Sequence, residues 1–411
     1  QAGKHLQVSA GGLNNNSGRI IANDLQLDTH GQALDNRIGI IASLSGDAAL
    51  RSGALDNTGG LLQSAAALSI DTSGQRLTNA ASNGNGIVSS GALQIRSGDL
   101  DNRGGSVFAK AGADVQAINI DNGGGGALVS AADLLLRAQQ LANSGGNVTA
   151  GGSADIGLQG ALLNSGGLLA ATGRLDLHAG YVDNRNTLSQ GNGPALGLQG
   201  KNLQVTTSNL DNQNGQVLAD DLLLQVNQRL DNSGGQISAA LTSDVRADTL
   251  VNSGGTLVAG RQQTLRTREI VGDGKLMSQG DMTLELGQSH TNRGEMVANG
   301  TLSLSVQGNL DNSGKLAGAN VSIHAGNITN ATTGEISSIG LTRLDTSGAL
   351  VNYGLLDGNV THITAGNIDN IGSGRIYGDR IAIQAGALNN LAANIGGVAR
   401  AGTIAARQRL D

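Results

Sequence analysis

The sequence predicts an all-β protein built as a right-handed parallel β-helix of about nineteen coils of 20–22 residues. Three observations predict it. An aliphatic-x-Asn triplet, usually followed by glycines, recurs from one end of the chain to the other. Within each copy, apolar and polar residues alternate with a period of two. The stretches between are filled by Gly, Asn, Asp and Ser, and 65 glycines stand against one proline, one phenylalanine and three tyrosines in 411 residues.

The triplet sets the coil. Its clearest copy is Leu230-Asp231-Asn232-Ser233-Gly234-Gly235-Gln236-Ile237. The asparagine recurs as Asn15, Asn36, Asn57, Asn79, Asn102, Asn122, Asn143, Asn164, Asn184, Asn212, Asn232, Asn252, Asn292, Asn312, Asn330, Asn352, Asn370 and Asn390, with Gly272 in the vacant slot. No unrelated segment interrupts the series, so residues 1–411 read as a single continuous segment. Leu410-Asp411 reads as the start of a twentieth triplet.

Each coil then needs two or three strands. Thr301-Leu302-Ser303-Leu304-Ser305-Val306 places aliphatics on one face and hydroxyls on the other, which is a strand half-turned to a core. A second apolar position follows the asparagine by four to six residues, as at Ile20, Val107, Val148, Val217, Ile237, Leu257 and Val297, and the aliphatic that opens the triplet is a third. The Gly, Asn, Asp and Ser between them accept positive φ or close Asx turns, so the chain bends after each strand.

Stacking follows from energetics. One coil buries two to four aliphatics worth about 1.5–3 kcal/mol each, against an ordering cost of about 1–2 kcal/mol per residue, so no coil stands alone. Small interior Ala and Ser suit a narrow cross-section. A leucine-rich-repeat horseshoe needs Leu-x-x-Leu-x-Leu spacing and a helical segment in each repeat, which the Gly/Asn/Ser linkers do not supply. Strand twist favours the right hand. Nineteen coils at about 4.8 Å each give a monomeric rod of roughly 90 Å.

Composition excludes several classes. A net charge of −6 and four aromatic side chains offer neither a phosphate footprint nor stacking surfaces, so no nucleic acid partner is expected. Without cysteine there is no disulfide scaffold, thiolate metal site or cysteine nucleophile. No stretch reaches the roughly 18 apolar residues of a membrane-spanning helix. The start, Gln1-Ala2-Gly3-Lys4, lacks an initiator methionine and reads as a cut from a longer protein.

The Leu-Asp-Asn-x-Gly-Gly-x-Ile pattern at 230–237, its sibling Leu210-Asp211-Asn212-Gln213-Asn214-Gly215-Gln216-Val217 and their period resemble the repeats of the filamentous haemagglutinin family. The resemblance covers essentially the whole chain. It implies a β-helical fibre, secreted to the outer surface of a Gram-negative bacterium through an outer-membrane two-partner secretion transporter. Contact-dependent growth inhibition effectors resemble the same fibre with a toxin at its end, so adhesin and toxin stalk both stay open.

Catalysis is the competing class, because some parallel β-helices are polysaccharide-active enzymes. Such chemistry needs paired carboxylates at controlled separation or a metal with an activated base. Asp211, Asp231, Asp311 and similar triplet aspartates would stand about one strand spacing apart and read as solvated turn residues. The histidines, His5, His30, His178, His290, His324 and His362, show no ligand spacing, and His324 should face solvent. The expectation is no enzyme, no catalytic or metal site, and no cofactor. The stacked asparagines read as turn-closing amides that bond along the axis rather than as a ligand stripe.

Departures from the repeat mark where a partner could bind. The interval from Asn184 to Asn212 is 28 residues, and a loop excursion near 185–200 offers Arg185, Asn186, Gln190, Asn192 and Pro194 as a contact for a target-cell receptor or glycan. A smaller excursion runs from Ala80 to Gly86. Between Arg261 and Arg293 the pattern is weakest: Gly272 replaces Asn, His290 replaces the leading aliphatic, and Arg261, Arg266 and Arg268 crowd together. That region reads as repeat drift, with a bend or contact surface as the alternative.

Overall fold

A computed structural model describes residues 3–82, 84–189 and 195–411. The described residues contain strands, turns and bends and no helix. The chain divides into two compact units, Gln1–Ala219 and Asp220–Asp411, and each is a parallel β-solenoid.

In the first unit, the strands Ser106–Ala109, Ala113–Gln116 and Asn119–Asp121 make up one coil, and Ala127–Ser130, Leu134–Ala138 and Gln140–Ala142 the next. They pair in parallel, Val107 with Leu128, Val115 with Leu136 and Ile120 with Leu141. Register keeps the aliphatics in columns. One column runs Leu27, Leu50, Ile70, Ile95, Val115, Leu136, Ile156, Leu177, Val205, all at most 3% exposed. Phe108, next to inward Val107, stays half-buried on the outer face.

The second unit repeats the scheme, with a column Val245, Leu265, Leu284, Leu304, Ile323, Leu344, Ile363. On Thr301–Val306 the three aliphatics are buried and Ser305 is exposed, as alternation requires. His324 is exposed beside buried Ile323. Burial ends near Ile381, and 386–391 are exposed.

Interior serines close a corner. Ser64 Oγ donates to Ala67 O, three residues on, and approaches Gly46 O of the neighbouring coil; Ser89 and Ser130 repeat the pattern. A hydroxyl that is at most 1% exposed there satisfies carbonyls that the turn would otherwise orphan.

Two register expectations are corrected. Val297 is not inward; Met296 is, because the turn Asn292-Arg293-Gly294 is one residue shorter and brings the chain inward sooner. Leu410-Asp411 does not begin a triplet. Leu410 pairs with Ile381, not Leu388, because residues 392–401 form an antiparallel hairpin that takes up about half of a coil's length.

From Asn15 to Asn252 the turn after the asparagine takes a left-handed residue two positions on. Gly59, Gly104, Gly145, Gly166, Gly234 and Gly254 supply it, but Ile38 sits there at φ 53 with 72% of its surface exposed. A β-branched residue in that region costs about 1–2 kcal/mol. After the entropy that glycine adds to the unfolded chain, Ile38→Gly should raise stability by about 0.5–1 kcal/mol in urea titration. A loss instead would mean that Ile38's contact beside Gly59 outweighs the strain.

Candidate functional site

The most repeated constellation is the asparagine corner. In the first unit each Nδ2 donates to the Oδ1 of the next amide, from Asn15 to Asn36 at 2.6 Å, Asn36 to Asn57 at 2.7 Å and on to Asn184 with Asn212 at 2.7 Å. In the second unit Asn232 meets Asn252 at 2.8 Å, and the series resumes from Asn292 through Asn312, Asn330, Asn352 and Asn370 to Asn390. The same Nδ2 also reaches the carbonyl of its own turn, as from Asn143 to Gly146, and one in the next coil, Leu168. Asn36 through Asn184 are fully buried. Amides so enclosed and so engaged hold the solenoid; they present no surface stripe.

Where an aspartate precedes the asparagine in the copies up to Asn232, it caps the turn by accepting a backbone N–H two residues on, as Asp231 does from Ser233 at 3.0 Å. Not all of these are solvated, contrary to expectation. Asp101, Asp183 and Asp231 are 4–6% exposed, and each is buried under an arginine: Arg103 and Arg76 on Asp101, Arg185 on Asp183, Arg229 on Asp231. The Arg103 hydrogen bond holds Asp101 down at about 2 against the opposing effect of burial.

Of the anticipated contact residues, Arg185 and Asn186 belong to the coil itself. Arg185 forks onto Asp183 at 2.9 Å and reaches Asp211 at 3.5 Å. Asn186 is the left-handed turn residue, φ 57, whose N–H donates to Gln213 O. Gln190, Asn192 and Pro194 lie outside the described residues. The excursion therefore begins after Thr187, whose Oγ1 donates to Asn184 O and accepts from Gln216 N.

A local signature marks this exit. Thr187 occupies the position where other coils carry glycine, such as Gly167, and the strand restarts at Gly197 with φ 87, where a Cβ would collide with Gln216 O. The excursion after Asn79 repeats it, with buried Ser82 in the glycine position and Gly86 at φ 117 against Ser106 O. Sequence reading marked both long intervals but missed the hydroxyl-glycine pair that frames them. It also missed the hairpin: Ala392 pairs with Ala401 and Ile395 with Val398 across Gly396-Gly397, at φ 62 and 82. A Gly-Gly between two short strand-like runs is its signal.

Two of the three clustered arginines are neutralised by nearby carboxylates. Arg266 bridges Asp244 and Glu285, and Arg268 holds Asp248 and Glu269.

For catalysis, one grouping was not anticipated. Ser9 Oγ lies 2.7 Å from His30 Nε2, and His30 Nδ1 is 3.9 Å from Asp28 Oδ1. Residues 21 apart face each other because they occupy neighbouring coils, a juxtaposition that only the repeat register reveals. The carboxylate is beyond hydrogen-bond range of the imidazole, and both are well exposed, so the pair lacks the fixed base and dry cleft of a hydrolase. A surface groove of about 740 Å³ in the first unit holds Asp114, Asp133, Asp155 and Asp176. Arg96 holds Asp114 and Arg137 holds Asp155, each at 2.5 Å, Arg174 holds Asp176, and Asp133 accepts Ser153 N. Among the described residues no three His, Asp or Glu side chains gather as metal ligands.

The chain matches the haemagglutinin repeat over residues 1–37, 20–85, 76–166, 153–209, 170–268 and 258–314. It therefore belongs to the haemagglutinin repeat family and is a filamentous haemagglutinin repeat region. The matches stop at residue 314, while the amide pairs continue to Asn390. No curated protein and no solved structure matches the chain. Haemagglutinin repeats belong to secreted bacterial surface proteins, and the solenoid fits a fibre-like segment of such an exoprotein.

Proposed function

We propose that this segment is a non-enzymatic spacer of a cell-surface fibre, exported by two-partner secretion and holding adhesive or toxin-delivery elements away from the cell. The observation that supports it most is the amide series, because successive coils spend their polar groups on one another and leave interchangeable turns outside. Interchangeable coils predict tolerance to the loss of one. Excising 123–143 joins Asn122 directly to Ser144 and removes one whole coil in register. The shortened chain should melt within a few degrees of the parent, and the exoprotein carrying it should retain its adhesion or growth inhibition. Loss of activity with an intact fold would sink the spacer reading.

A receptor or glycan contact is a second reading, supported by the exit after Thr187. Excising 188–196 places Gly197 directly after Thr187 and restores the five-residue spacing from Asn184 to Leu198. If the chain binds target cells, that excision should abolish binding without unfolding it. Unchanged binding would remove the loop from consideration.

A further inference from the structure

The second unit carries a defect that the spacer role does not use. His290 stands in an aliphatic column, opposite Leu310, with 5% of its surface exposed, and its Nε2 has no hydrogen-bond partner. The amide series is broken beside it, because Gly272 fills the slot between Asn252 and Asn292. The triplet at that break is loosened too: Ile270 is only half-buried and Val271 is 46% exposed. Nearby, Gln263 is fully buried with Nε2 on Ser243 Oγ and its Oε1 unpartnered.

We propose that the coils between Arg261 and Arg293 are an acid-released weak point, opened when His290 takes up a proton. An imidazolium in that column would have apolar neighbours and no acceptor. The charged groups around it offer no rescue. Arg268 and Glu269 on the preceding coil pair with each other, and Arg268 with Asp248. Glu285 is taken by Arg266, and Glu295 by Lys275. Asp273 accepts Gly254 N, and exposed Asp311 pairs in register with Thr291, one residue beyond His290. Arg293, three residues away, adds repulsion. Burial first, and Arg293 second, push His290 from 6.5 down to about 4.

The unfolded chain therefore binds this proton more readily than the folded one. Stability contributed by neutral His290 is fully present above pH 6.5 and drains as pH falls toward 4, by about 300-fold in the local opening equilibrium. Below that, both forms are protonated and no more is lost. Opening stays local because the missing amide at Gly272 uncouples this corner from Asn252.

Amide hydrogen exchange of the full chain at pH 7 and pH 5, corrected for intrinsic rates, tests this. Exchange in Gln262–Val271 and His290–Asn292 should accelerate by about 20-fold at pH 5, while Ser106–Ala109 in the first unit changes far less. His290→Leu should remove the acceleration, and His290→Gln serves if the leucine variant does not fold. Acceleration that persists in these variants, or a parent chain with none, overturns the proposal.

Discussion

Leu224→Asp should destabilise the second unit by on the order of 5 kcal/mol, from lost apolar burial plus an unpaired charge held out of water. Leu224 is fully buried on Gln216–Asp231, between inward Leu222 and Val226 at 3% exposure each. Gln225 is only half-buried, on the opposite side of the pleat. It shares a surface hollow with Arg246 and Arg266, so Gln225→Asp should change stability by less than about 1 kcal/mol. Two adjacent residues thus give opposite outcomes, because a strand turns successive side chains to opposite faces. Urea melts of the two variants decide it; equal midpoints would refute the register on which every column rests.

Period two made that register legible in the sequence, and the asparagine spacing made the coil legible. The two signals fix different things. Alternation says which residues point inward along a strand, as on Thr301–Val306, but it cannot count turn residues. Met296 replaced Val297 for that reason: a turn one residue shorter moves the inward position without altering the alternation. Leu410-Asp411 misled in the same way, since the pair looks like a triplet while its position depends on a hairpin upstream. The contact residues were less legible still. Arg185 and Asn186 sit where the repeat lengthens, yet their side chains and backbone serve Asp183, Asp211 and Gln213. Composition marks a long interval; only the pairing shows where the coil ends and the excursion starts. Buried aspartates such as Asp101 were read as solvated because their arginine covers lie two residues along or one coil away.

Glycine substitutions at this corner should separate the two demands that the turn makes. At Gly105 an added Cβ would strike Asn79 O of the preceding coil and come within 2.5 Å of Asn102 Oδ1. Both are fixed, the carbonyl by the backbone and the amide by its 2.7 Å bond to Asn122. Relief requires the coils to part there, which loses amide and ladder bonds, so Gly105→Ala should cost about 3 kcal/mol or more. Its neighbour Gly104 has φ 57 and nothing closer than Gly124 O at 3.6 Å. Gly104→Ala meets only the left-handed penalty, about 1–2 kcal/mol. Gly112, without positive φ and with Asp133 O at an ordinary 3.6 Å, faces neither constraint, and Gly112→Ala should be neutral or slightly stabilising. The order Gly105, Gly104, Gly112 in urea midpoints is the expected result. A Gly105→Ala chain as stable as Gly112→Ala would mean that the coils do not meet at the spacing the buried amides require, and the ladder would then not be what holds them in register.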